Sequence, residues 1–378
     1  MTAYDVAIIG LGGMGGAAAY RLAERGRRVI GLERFGPGHD QGSSHGDSRI
    51  IRQAYFEDPS YVPLLHRAYE LWRETERAAG RDLLTITGGL VIGPPDADNV
   101  NGALRSARLW DLAHEYLDAD AIARRFPTFR PGAGEVGVYE PYAGYVAPEA
   151  AVRANLDLAA AHGADLRFGE RVVDWAASDD GVRVRTAEGE YRADRLVIAA
   201  GAWAPGLLAS LNLPLVVERQ VMHWFAVDDP AAFAAPGHPI YIWSDDTEDH
   251  AYGFGIRPGD ASAKVAFFRR PDATDPDEID RTVHAAEITE IQEFLAPRIP
   301  GLGRHTAAKT CLYTLTPDHH FILGPHPEHP NVTLAAGFSG HGFKFVPVMG
   351  EILADLSTTG TTAHDIALFD PARSFTTG

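Results

Sequence analysis

Three glycines near the start of the chain have the spacing of a nucleotide-binding turn. Gly10, Gly12 and Gly15 form a GxGxxG pattern between an apolar run, residues 6–9, and a segment of helical character. Glycines at these positions let backbone N–H groups and a helix N-terminus approach a pyrophosphate. Glu33 ends the next apolar run, where a carboxylate is in reach of a ribose hydroxyl. The pattern predicts dinucleotide binding, with FAD and NAD equally compatible, and a glycine-rich turn without a ligand is the alternative.

A second group of polar residues lies in the segment GSSHGDSRIIR, residues 42–52. It places His45, Arg49 and Arg52 within eight positions. If this stretch is helical, the two arginines share a face, and two cations on one face can bind a carboxylate or lie beside an electron-rich ring. A solvated basic turn paired with the many carboxylates of the chain is the alternative. A lone histidine such as His45 is more often structural than catalytic.

Two lysines and one cysteine stand in patterns that allow either a structural or a chemical role. Lys264 lies in an alternating strand pattern, SAKVAFF, where a lysine between apolar neighbours usually points to solvent. Lys344 follows a Gly-His-Gly turn and is equally compatible with a surface position. Cys311 is the only cysteine, so no internal disulfide can form, and a lone cysteine is usually buried and inert.

The composition is that of a packed globular protein with an excess of acidic residues. The 378 residues are 45% hydrophobic and 22% charged, and the net charge is -17, which disfavours binding to nucleic acid or anionic lipid. No apolar run reaches about 18 residues, and the first strand begins at residues 4–5, which leaves no room for a signal peptide. We therefore expect a cytoplasmic protein with a small-molecule partner and no membrane contact. The histidine pairs at 319–320 and 326–329 lack supporting carboxylates or cysteines, so no metal site is predicted.

Strands, helices and glycine-rich turns alternate along the chain and predict an α/β fold in two domains. Helical patterns cover residues 60–80 and 148–163, and apolar strands at residues 194–203 and 331–344 each run into Ala-Ala-Gly. Two such strands far from the first turn predict a Rossmann-type FAD-binding or NAD-binding domain built from three separated pieces. The predicted ranges are 1–80, 148–218 and 320–378 for this domain, and 81–147 and 219–319 for a mostly antiparallel β-sheet substrate domain.

Four motifs, in order along the chain, carry a resemblance to a known family. They are the N-terminal GxGxxG and the segments GSSHGDSRIIRQAY, CLYTLTPDHHFI and GFSGHGFKF. In this combination the sequence resembles the family of monomeric sarcosine oxidase and N-methyltryptophan oxidase, FAD-dependent amine oxidases of the D-amino-acid-oxidase-like superfamily. The C-terminal motifs are far more specific than the nucleotide fingerprint, because Rossmann dehydrogenases in general lack them. The resemblance therefore implies FAD and not NAD.

The resemblance assigns cofactor roles to residues that the patterns alone leave open. Family members attach the flavin 8α-methyl carbon to a cysteine sulfur, and the matching residue here is Cys311. Covalent attachment would prevent loss of FAD and raise its redox potential, and Arg49 would favour the anionic forms of the flavin ring. The other cofactor contacts implied by the resemblance are Ser43, His45, Val172, Gly201, Gly340, Gly342 and Lys344.

The resemblance also implies a substrate site. Arg52 and Lys344 match the pair that holds the substrate carboxylate, and such a clamp fixes the amine against the flavin. Lys264 matches the lysine that promotes reaction with oxygen, because a fixed positive charge stabilises developing superoxide. The expected catalytic residues are Lys264, Arg49, His45 and Tyr313, and the other expected pocket residues are Tyr252 and Tyr55.

Two positions depart from the family pattern in this pocket. Four positions after the oxygen-site lysine the family has a histidine that faces the substrate, whereas this chain has Phe268. Trp243 is expected to replace a smaller aliphatic residue of the same pocket. Because a polar contact is lost and aromatic bulk is gained, we expect selection of a more apolar amine than sarcosine.

The reaction expected from the resemblance is oxidation of a secondary amino acid, N-methyl or cyclic, to an imine. Oxygen would be reduced to hydrogen peroxide, and the enzyme would be a monomer. Two alternatives stay open: a FAD-dependent dehydrogenase that passes electrons to a carrier, and a flavin-binding protein without turnover. The expected clamp of arginine and lysine argues against the second.

Overall fold

The computed structural model describes residues 4–245 and 250–375. The helices are α1 (Gly13–Glu24), α2 (Val62–Ala79), α3 (Asp98–Leu109), α4 (Ala119–Arg125), α5 (Pro148–Ala161), α6 (Ala204–Leu207), α7 (Ala285–Leu295) and α8 (Val346–Thr359). The strands are β1 (Tyr4–Ile9), β2 (Val29–Glu33), β3 (Arg49–Ile51), β4 (Leu84–Ile86), β5 (Gly89–Gly93), β6 (Glu115–Asp118), β7 (Val136–Glu140), β8 (Gly144–Val146), β9 (Asp165–Phe168), β10 (Val172–Ser178), β11 (Gly181–Thr186), β12 (Glu190–Ile198), β13 (Val216–Val227), β14 (Ile240–Ser244), β15 (His250–Phe254), β16 (Ser262–Phe267), β17 (Leu302–Leu315), β18 (Ile322–Pro325) and β19 (Val332–Ala336).

The first sheet has the order β10-β11-β12-β1-β2-β9, with β19 also paired to β12 and β18 to β19. The pairs β12–β1, β1–β2, β2–β9 and β12–β19 are parallel, whereas β10–β11, β11–β12 and β18–β19 are antiparallel. Both faces of β1 are covered: Val6 and Ile8 pack in the cluster that contains α1, α5 and α8, whereas Ala7 and Ile9 pack in a second cluster. Burial on both faces explains the continuous apolar run of this strand.

The second sheet has the order β17-β13-β16-β15-β14-β5-β7-β6. Its pairs are antiparallel except β5 with β14. Side chains alternate between two clusters, so that Tyr252, Cys311 and Tyr313 share one face while Trp243 and Phe267 share the other. The mixed α/β class predicted from the sequence is therefore confirmed.

A third sheet is small and draws its strands from three separate segments of the chain. It consists of β3, β8 and β4 in antiparallel pairs. Arg49 is the first residue of β3, so the expectation that residues 49–52 are helical is wrong. Because strand residues alternate in direction, Arg49 and Arg52 point to different places. The guanidinium of Arg49 contacts Cys311, and that of Arg52 contacts Glu57.

Glycines let α1 approach its neighbours closely. A Cβ added to Gly15 would lie 1.8 Å from the carbonyl oxygen of Gly10, and one added to Gly350 of α8 would lie 2.7 Å from Cβ of Ala17. Gly10 has a φ of 89° and is tightly packed against the backbone of Ala199. These contacts fix the start of α1 at the end of β1, where the sequence predicts the nucleotide site.

The three sequence pieces predicted for the FAD-binding domain supply the strands of the first sheet. The second sheet draws its strands mainly from the ranges predicted for the substrate domain, although β13 begins at Val216, inside the predicted nucleotide range. The division into two domains with those boundaries stays a prediction.

Candidate active site

A cavity of about 870 Å³ lies at the carboxyl ends of the parallel strands. Ile9, Glu33, Ala199 and Gly337, at or just after the ends of four of these strands, line it. Ligands of open α/β sheets bind at this edge, because the loops that follow the strands converge there. The predicted cofactor contacts that also line the cavity are Gly10, Gly12, Ser43, Arg49, Val172, Gly201, Gly340 and Gly342.

The first turn of α1 forms one end of this cavity. Gly12 and Gly13 line it, and a Cβ added to Gly12 would contact only Oγ of Ser44, at 3.5 Å. The N–H of Gly13 donates to the same oxygen at 3.1 Å. A helix N-terminus carries partial positive charge, so this turn is suited to a phosphate group.

Glu33 is held in its ionised form at the end of β2. Its Oε2 accepts a hydrogen bond from the N–H of Leu11 at 2.8 Å, and its Oε1 accepts one from the N–H of Phe35 at 3.0 Å. Burial opposes the charge, but hydrogen bonds from His39 and from these N–H groups outweigh it and hold the pKa of Glu33 below its usual value. An ionised carboxylate at this place can accept hydrogen bonds from ribose hydroxyls.

Cys311 lies on β17 with 1% of its surface exposed. Nη2 of Arg49 is 3.4 Å from its sulfur and 3.1 Å from the carbonyl oxygen of Ser43. Arg49 thus connects the loop after β2, which contains Ser43, to β17, the strand that contains Cys311. Its guanidinium places a positive charge against the sulfur.

His45 is buried and neutral. Its Nε2 donates to the carbonyl oxygen of Gly42 at 3.1 Å, and Nδ1 has no hydrogen-bond partner among the described residues. Burial and the charge of Arg49 lower the pKa of His45 to about 3. The side chain therefore offers a free acceptor, Nδ1, close to the Arg49–Cys311 contact.

Lys264 is buried on β16, contrary to the expectation from its apolar neighbours alone that it points to solvent. Its Nζ donates to the carbonyl oxygens of Gly46 and Ser48 at 2.6 and 2.7 Å. An ammonium group has three donors, so one remains. Burial, followed by the charge of Arg49, lowers the pKa of Lys264 well below its usual value.

Arg52 and Lys344 meet at Tyr55. The guanidinium carbon of Arg52 lies 4.3 Å from the centre of the Tyr55 ring, and Nζ of Lys344 lies 5.1 Å from it. Arg52 donates to Oε2 of Glu57 at 2.6 Å and to the carbonyl oxygen of Ala54 at 2.8 Å. Burial and the charge of Arg52 lower the pKa of Lys344 to about 7. The two cations assigned to a carboxylate clamp are thus neighbours.

Three aromatic rings, those of Phe268, Tyr252 and Tyr313, form a wall of which Tyr313 lines the cavity. Phe268 lies with its ring centroid 6.1 Å from that of Tyr313 and 6.5 Å from that of Tyr252. Gly340 packs so tightly on Tyr313 that an added Cβ would come within 2.5 Å of the ring. The wall is apolar except for two phenol hydroxyls.

Comparison with known proteins bears directly on this arrangement. A family model described as FAD dependent oxidoreductase, DAO, matches residues 5–356. The chain belongs to this family. It is 56% identical over 374 residues to a monomeric sarcosine oxidase of Streptomyces avermitilis, covering 98% of this chain and 97% of that protein.

Two further relatives agree with this assignment of the chain to the FAD-dependent oxidoreductases. An N-methyl-L-tryptophan oxidase of Salmonella dublin is 34% identical, with 98% of this chain and 99% of that protein covered. The solved open form of NikD, described as an unusual amino acid oxidase, superposes with a TM-score of 0.88 at 28% identity, with both chains fully covered. The resemblance inferred from the sequence motifs is confirmed.

The cavity of this FAD-dependent oxidoreductase suits FAD on its own geometry. The first turn of α1 is open for the pyrophosphate, ionised Glu33 is available to a ribose, and the glycines Gly10, Gly12 and Gly340 leave no side chain in the way. Arg49 and Tyr313 line the cavity as well, so a ring system that fills it would contact both. Nine of the residues predicted to contact the cofactor line this space, whereas Gly15, His45, Cys311 and Lys344 do not line it.

Trp243 does not belong to the pocket, and this prediction is wrong. On β14 it pairs with Ala251 and packs with Phe129 and Tyr241 in the core on the far face of the sheet. Its neighbour Ile242 pairs with Tyr252 and lies on the pocket face. A shift of one residue in a strand moves a side chain to the opposite face, which accounts for the error.

Several residues of the site were missed by the reasoning from sequence. The 51 acidic residues of the chain gave no reason to single out Glu57, which is bonded to Arg52. His341, a hydrogen-bond partner of Tyr55, lay inside a recognised motif without a role. One usable signal was overlooked: the chain has only three lysines, and Lys264 and Lys344 are two of them. Buried lysines are rare without partners, so two in one site indicate function.

Two further features of the described residues concern membranes and metal ions. Within residues 4–245 and 250–375, no helix is both long and apolar enough to cross a membrane. In the same ranges no three His, Cys, Asp or Glu side chains are grouped as metal ligands would be.

Proposed function

We propose that this chain oxidises a secondary amino acid, N-methyl or cyclic, to an imine and reduces oxygen to hydrogen peroxide. The observation that carries the proposal is the meeting of Arg52 and Lys344 at the ring of Tyr55. Two buried cations at one place favour a bound carboxylate. The names of the relatives, monomeric sarcosine oxidase and N-methyl-L-tryptophan oxidase, support the class of substrate.

The substrate carboxylate would bind between Arg52 and Lys344. Lys344 uses one donor on the carbonyl oxygen of His341, and Arg52 uses two, so both cations keep free donors. Tyr313 and Phe268 then border the space left for the amine and its alkyl groups. The amine must be uncharged, because only a free lone pair supports loss of electrons from the C–N unit.

Lys264 would act in the oxygen half of the reaction. Bound FAD supplies the redox chemistry, by accepting a hydride equivalent from the carbon next to nitrogen and passing two electrons to oxygen. In its protonated form the buried side chain of Lys264 has one free donor and a fixed position, so in that form it can stabilise the negative charge that develops on oxygen.

Cys311 is proposed as the site of a thioether bond to the 8α-methyl carbon of FAD. The S–H bond and one C–H bond of the methyl group would break, and the two electrons released would be taken up by the flavin and passed on to oxygen. The sulfur is buried, faces the same cluster as Tyr313 and lies against Arg49. His45 offers its free Nδ1 nearby. The further parts of the proposal are a monomeric protein in the cytoplasm, and the two domains with the boundaries predicted above.

The oxygen role of Lys264 separates an oxidase from a dehydrogenase. In Lys264→Met we expect oxygen to restore the flavin absorbance at least about a hundredfold more slowly, because a fixed charge is lost, while anaerobic bleaching by substrate changes far less. Stopped-flow absorbance measures both phases. Lys309→Met is the matched control, because Lys309 is the third lysine and is exposed.

Each rival function has its own outcome in this experiment. If Lys264→Met slows bleaching by substrate and reoxidation by oxygen equally, the proposed role of Lys264 in the oxygen reaction is wrong. Slow reaction of the wild-type protein with oxygen, together with fast reaction with an artificial electron carrier, would favour a dehydrogenase. Absence of bleaching by any secondary amino acid would favour a flavin-binding protein without turnover.

A further inference from the structure

Arg269 directly follows Phe268 and connects the pocket wall to two loops. Its guanidinium carbon lies 4.4 Å from the centre of the Phe268 ring. Nε donates to the carbonyl oxygen of Ser339 at 3.1 Å, and Nη1 donates to Nδ1 of His319 at 3.1 Å. Burial and then the charge of Arg269 lower the pKa of His319 to about 4, so this imidazole is neutral and can accept. Arg269 is therefore held on two sides.

The three residues joined by these bonds share an unusual backbone conformation. Arg269, His319 and Ser339 have φ angles of 59°, 57° and 48°. Residues with a Cβ rarely adopt this left-handed region, because the side chain crowds the backbone. Strain of this kind persists where the surrounding structure imposes it, and it is concentrated at ligand sites. Three such residues, connected by hydrogen bonds beside one pocket, indicate a site arranged for a ligand.

One nitrogen of Arg269 is left over. Nη2 is buried and has no hydrogen-bond partner among the described residues. A buried charged donor without a partner is costly, so a native structure rarely keeps one without a purpose. Arg52, by contrast, has two partners for its guanidinium, Glu57 and the carbonyl oxygen of Ala54.

Glu57 is the carboxylate that three cations of this site share. Burial opposes its charge, but Arg52 first, and then His341, Lys344 and Arg269, lower its pKa to about 2, so Glu57 is ionised. Arg52 also acts on the buried carboxyl group of Glu140, and Arg269 acts on that of Glu218. None of these three carboxyl groups accepts a hydrogen bond from Nη2 of Arg269, so this donor remains available to a ligand.

We propose that Arg269 selects a substrate with a second carboxylate, that is, a secondary amino acid with an acidic side chain. The α-carboxylate binds Arg52 and Lys344, the aliphatic part lies against Phe268, and the side-chain carboxylate accepts a hydrogen bond from Nη2 of Arg269. This proposal rests on the clamp described under the proposed function. It replaces the expectation, drawn from Phe268 alone, of a more apolar amine.

The test compares acids that cannot be oxidised and that differ in one carboxylate. Isothermal titration calorimetry on the holoenzyme measures the dissociation constants of two pairs of acids: butanoate with succinate, and pentanoate with glutarate. The two chain lengths test two distances between the clamp and Arg269. We expect the dicarboxylate of at least one pair to bind about tenfold or more tightly than its partner, the effect of one charge-assisted hydrogen bond. Equal affinity within both pairs would overturn the proposal and leave the clamp intact.

Variants separate Arg269 from its neighbours. Arg269→Met should bring the ratio of the two dissociation constants close to one while butanoate binding changes by less than about threefold. Arg270→Met is the matched control and should keep the ratio, because the side chain of Arg270 forms an ion pair with Glu290 at 2.7 Å. If Arg269→Met fails to fold, Arg269→Lys provides a second test. This variant keeps the charge but loses the forked donors of the guanidinium, so it should lower the ratio of the two dissociation constants and still keep it above one.

Two further outcomes are informative. N-methylaspartate should show a lower KM than 2-(methylamino)butanoate with a similar kcat, because Arg269 acts on binding and not on the reacting atoms; an effect on kcat alone would overturn this. If the wild-type holoenzyme binds neither class of acid, the carboxylate clamp fails and the inference fails with it. Lys344→Met should weaken both acids of a pair, whereas Arg269→Met should weaken only the dicarboxylate.

Discussion

Nη2 of Arg49 lies 3.4 Å from the sulfur of Cys311, and both groups are withdrawn from solvent. The contact joins a residue of the first glycine-rich region to one more than two hundred positions later. It brings a permanent positive charge to the only thiol of the chain, beside a cavity that suits FAD. The chemistry of the proposed covalent bond therefore depends on Arg49 as much as on the cysteine.

Replacing Arg49 should slow attachment of the flavin. Without the guanidinium the negative charge that develops during attachment loses its nearest positive charge, so Arg49→Gln apoprotein mixed with FAD should attach it about tenfold or more slowly, which corresponds to roughly 1.4 kcal/mol. The measurement is the fraction of yellow colour retained in an acid-precipitated pellet over time. Cys311→Ser should retain none, and Arg28→Gln, which alters an exposed ion pair with Asp5, should match the wild type. Unchanged kinetics in Arg49→Gln would contradict the role given to this contact.

Carboxylate binding should weaken as pH rises through neutrality. The pKa of Lys344 is about 7 in the free protein, and a bound carboxylate raises it, so binding takes up a proton. Below pH 7 the lysine is already charged and affinity is constant. Above pH 7 the dissociation constant of butanoate should rise by up to about tenfold per pH unit until the pKa of the complex is reached.

The control for this pH dependence is a variant without the ammonium group. Lys344→Met should bind butanoate weakly and with little dependence on pH between 6 and about 9, whereas Lys309→Met should behave as the wild type. Calorimetric titrations in buffers of different ionisation enthalpy would also detect the proton. A wild-type dissociation constant that falls as pH rises over this range would be incompatible with a protonated Lys344 in the complex.

Neighbouring glycines of α1 should respond in opposite ways to alanine. In Gly15→Ala the new Cβ would lie 1.8 Å from the carbonyl oxygen of Gly10, so the turn must move and FAD affinity should fall at least about tenfold or the protein should not fold. In Gly16→Ala nothing lies closer than 3.6 Å, and the helix should gain about 0.5–1 kcal/mol of stability. Fluorescence titration of apoprotein with FAD and thermal unfolding measure both effects.

The two faces of β14 give a prediction about substrate contacts. Trp243→Phe should lower the free energy of unfolding by about 2 kcal/mol, because it removes the hydrogen bond to Glu135 and leaves a gap in the far core, while KM stays unchanged. Ile242→Ala, on the pocket face, should change KM. A large change in KM for Trp243→Phe with an unchanged free energy of unfolding would indicate that Trp243 contacts the substrate.

The local patterns of the chain were sufficient for much of the fold. Alternation, apolar runs and glycine spacing located α1, β1, β2 and the helices α2 and α5, because these elements are determined by neighbours in sequence. The same patterns failed at Arg49, where a short strand forms only because β8 lies beside it. The resemblance to the family likewise placed Trp243 in the pocket, one residue out of phase with Ile242. Register depends on the partner strand, which a sequence alone does not display.

Residues of the candidate site could be predicted from the sequence only where they lie in a recognised motif. Arg52 and Lys344 were assigned as a pair through the resemblance, and the structure places them at one ring. Glu57, His341 and Arg269 reach the site through contacts between distant segments, so no spacing in the sequence indicates them. The burial of Lys264 was likewise invisible in an alternating strand pattern, because the covering loop comes from residues 46–48.

The most direct test of the central claim is an anaerobic titration of the purified holoenzyme with secondary amino acids, followed by oxygen. N-methyl amino acids and cyclic ones should bleach the visible flavin absorbance, and oxygen should restore it with one hydrogen peroxide formed per imine. N-acetyl analogues, in which the nitrogen lone pair is delocalised into the amide, should bind without bleaching. If no secondary amino acid bleaches the flavin while a different class of compound does, the claim that this site oxidises secondary amino acids is contradicted.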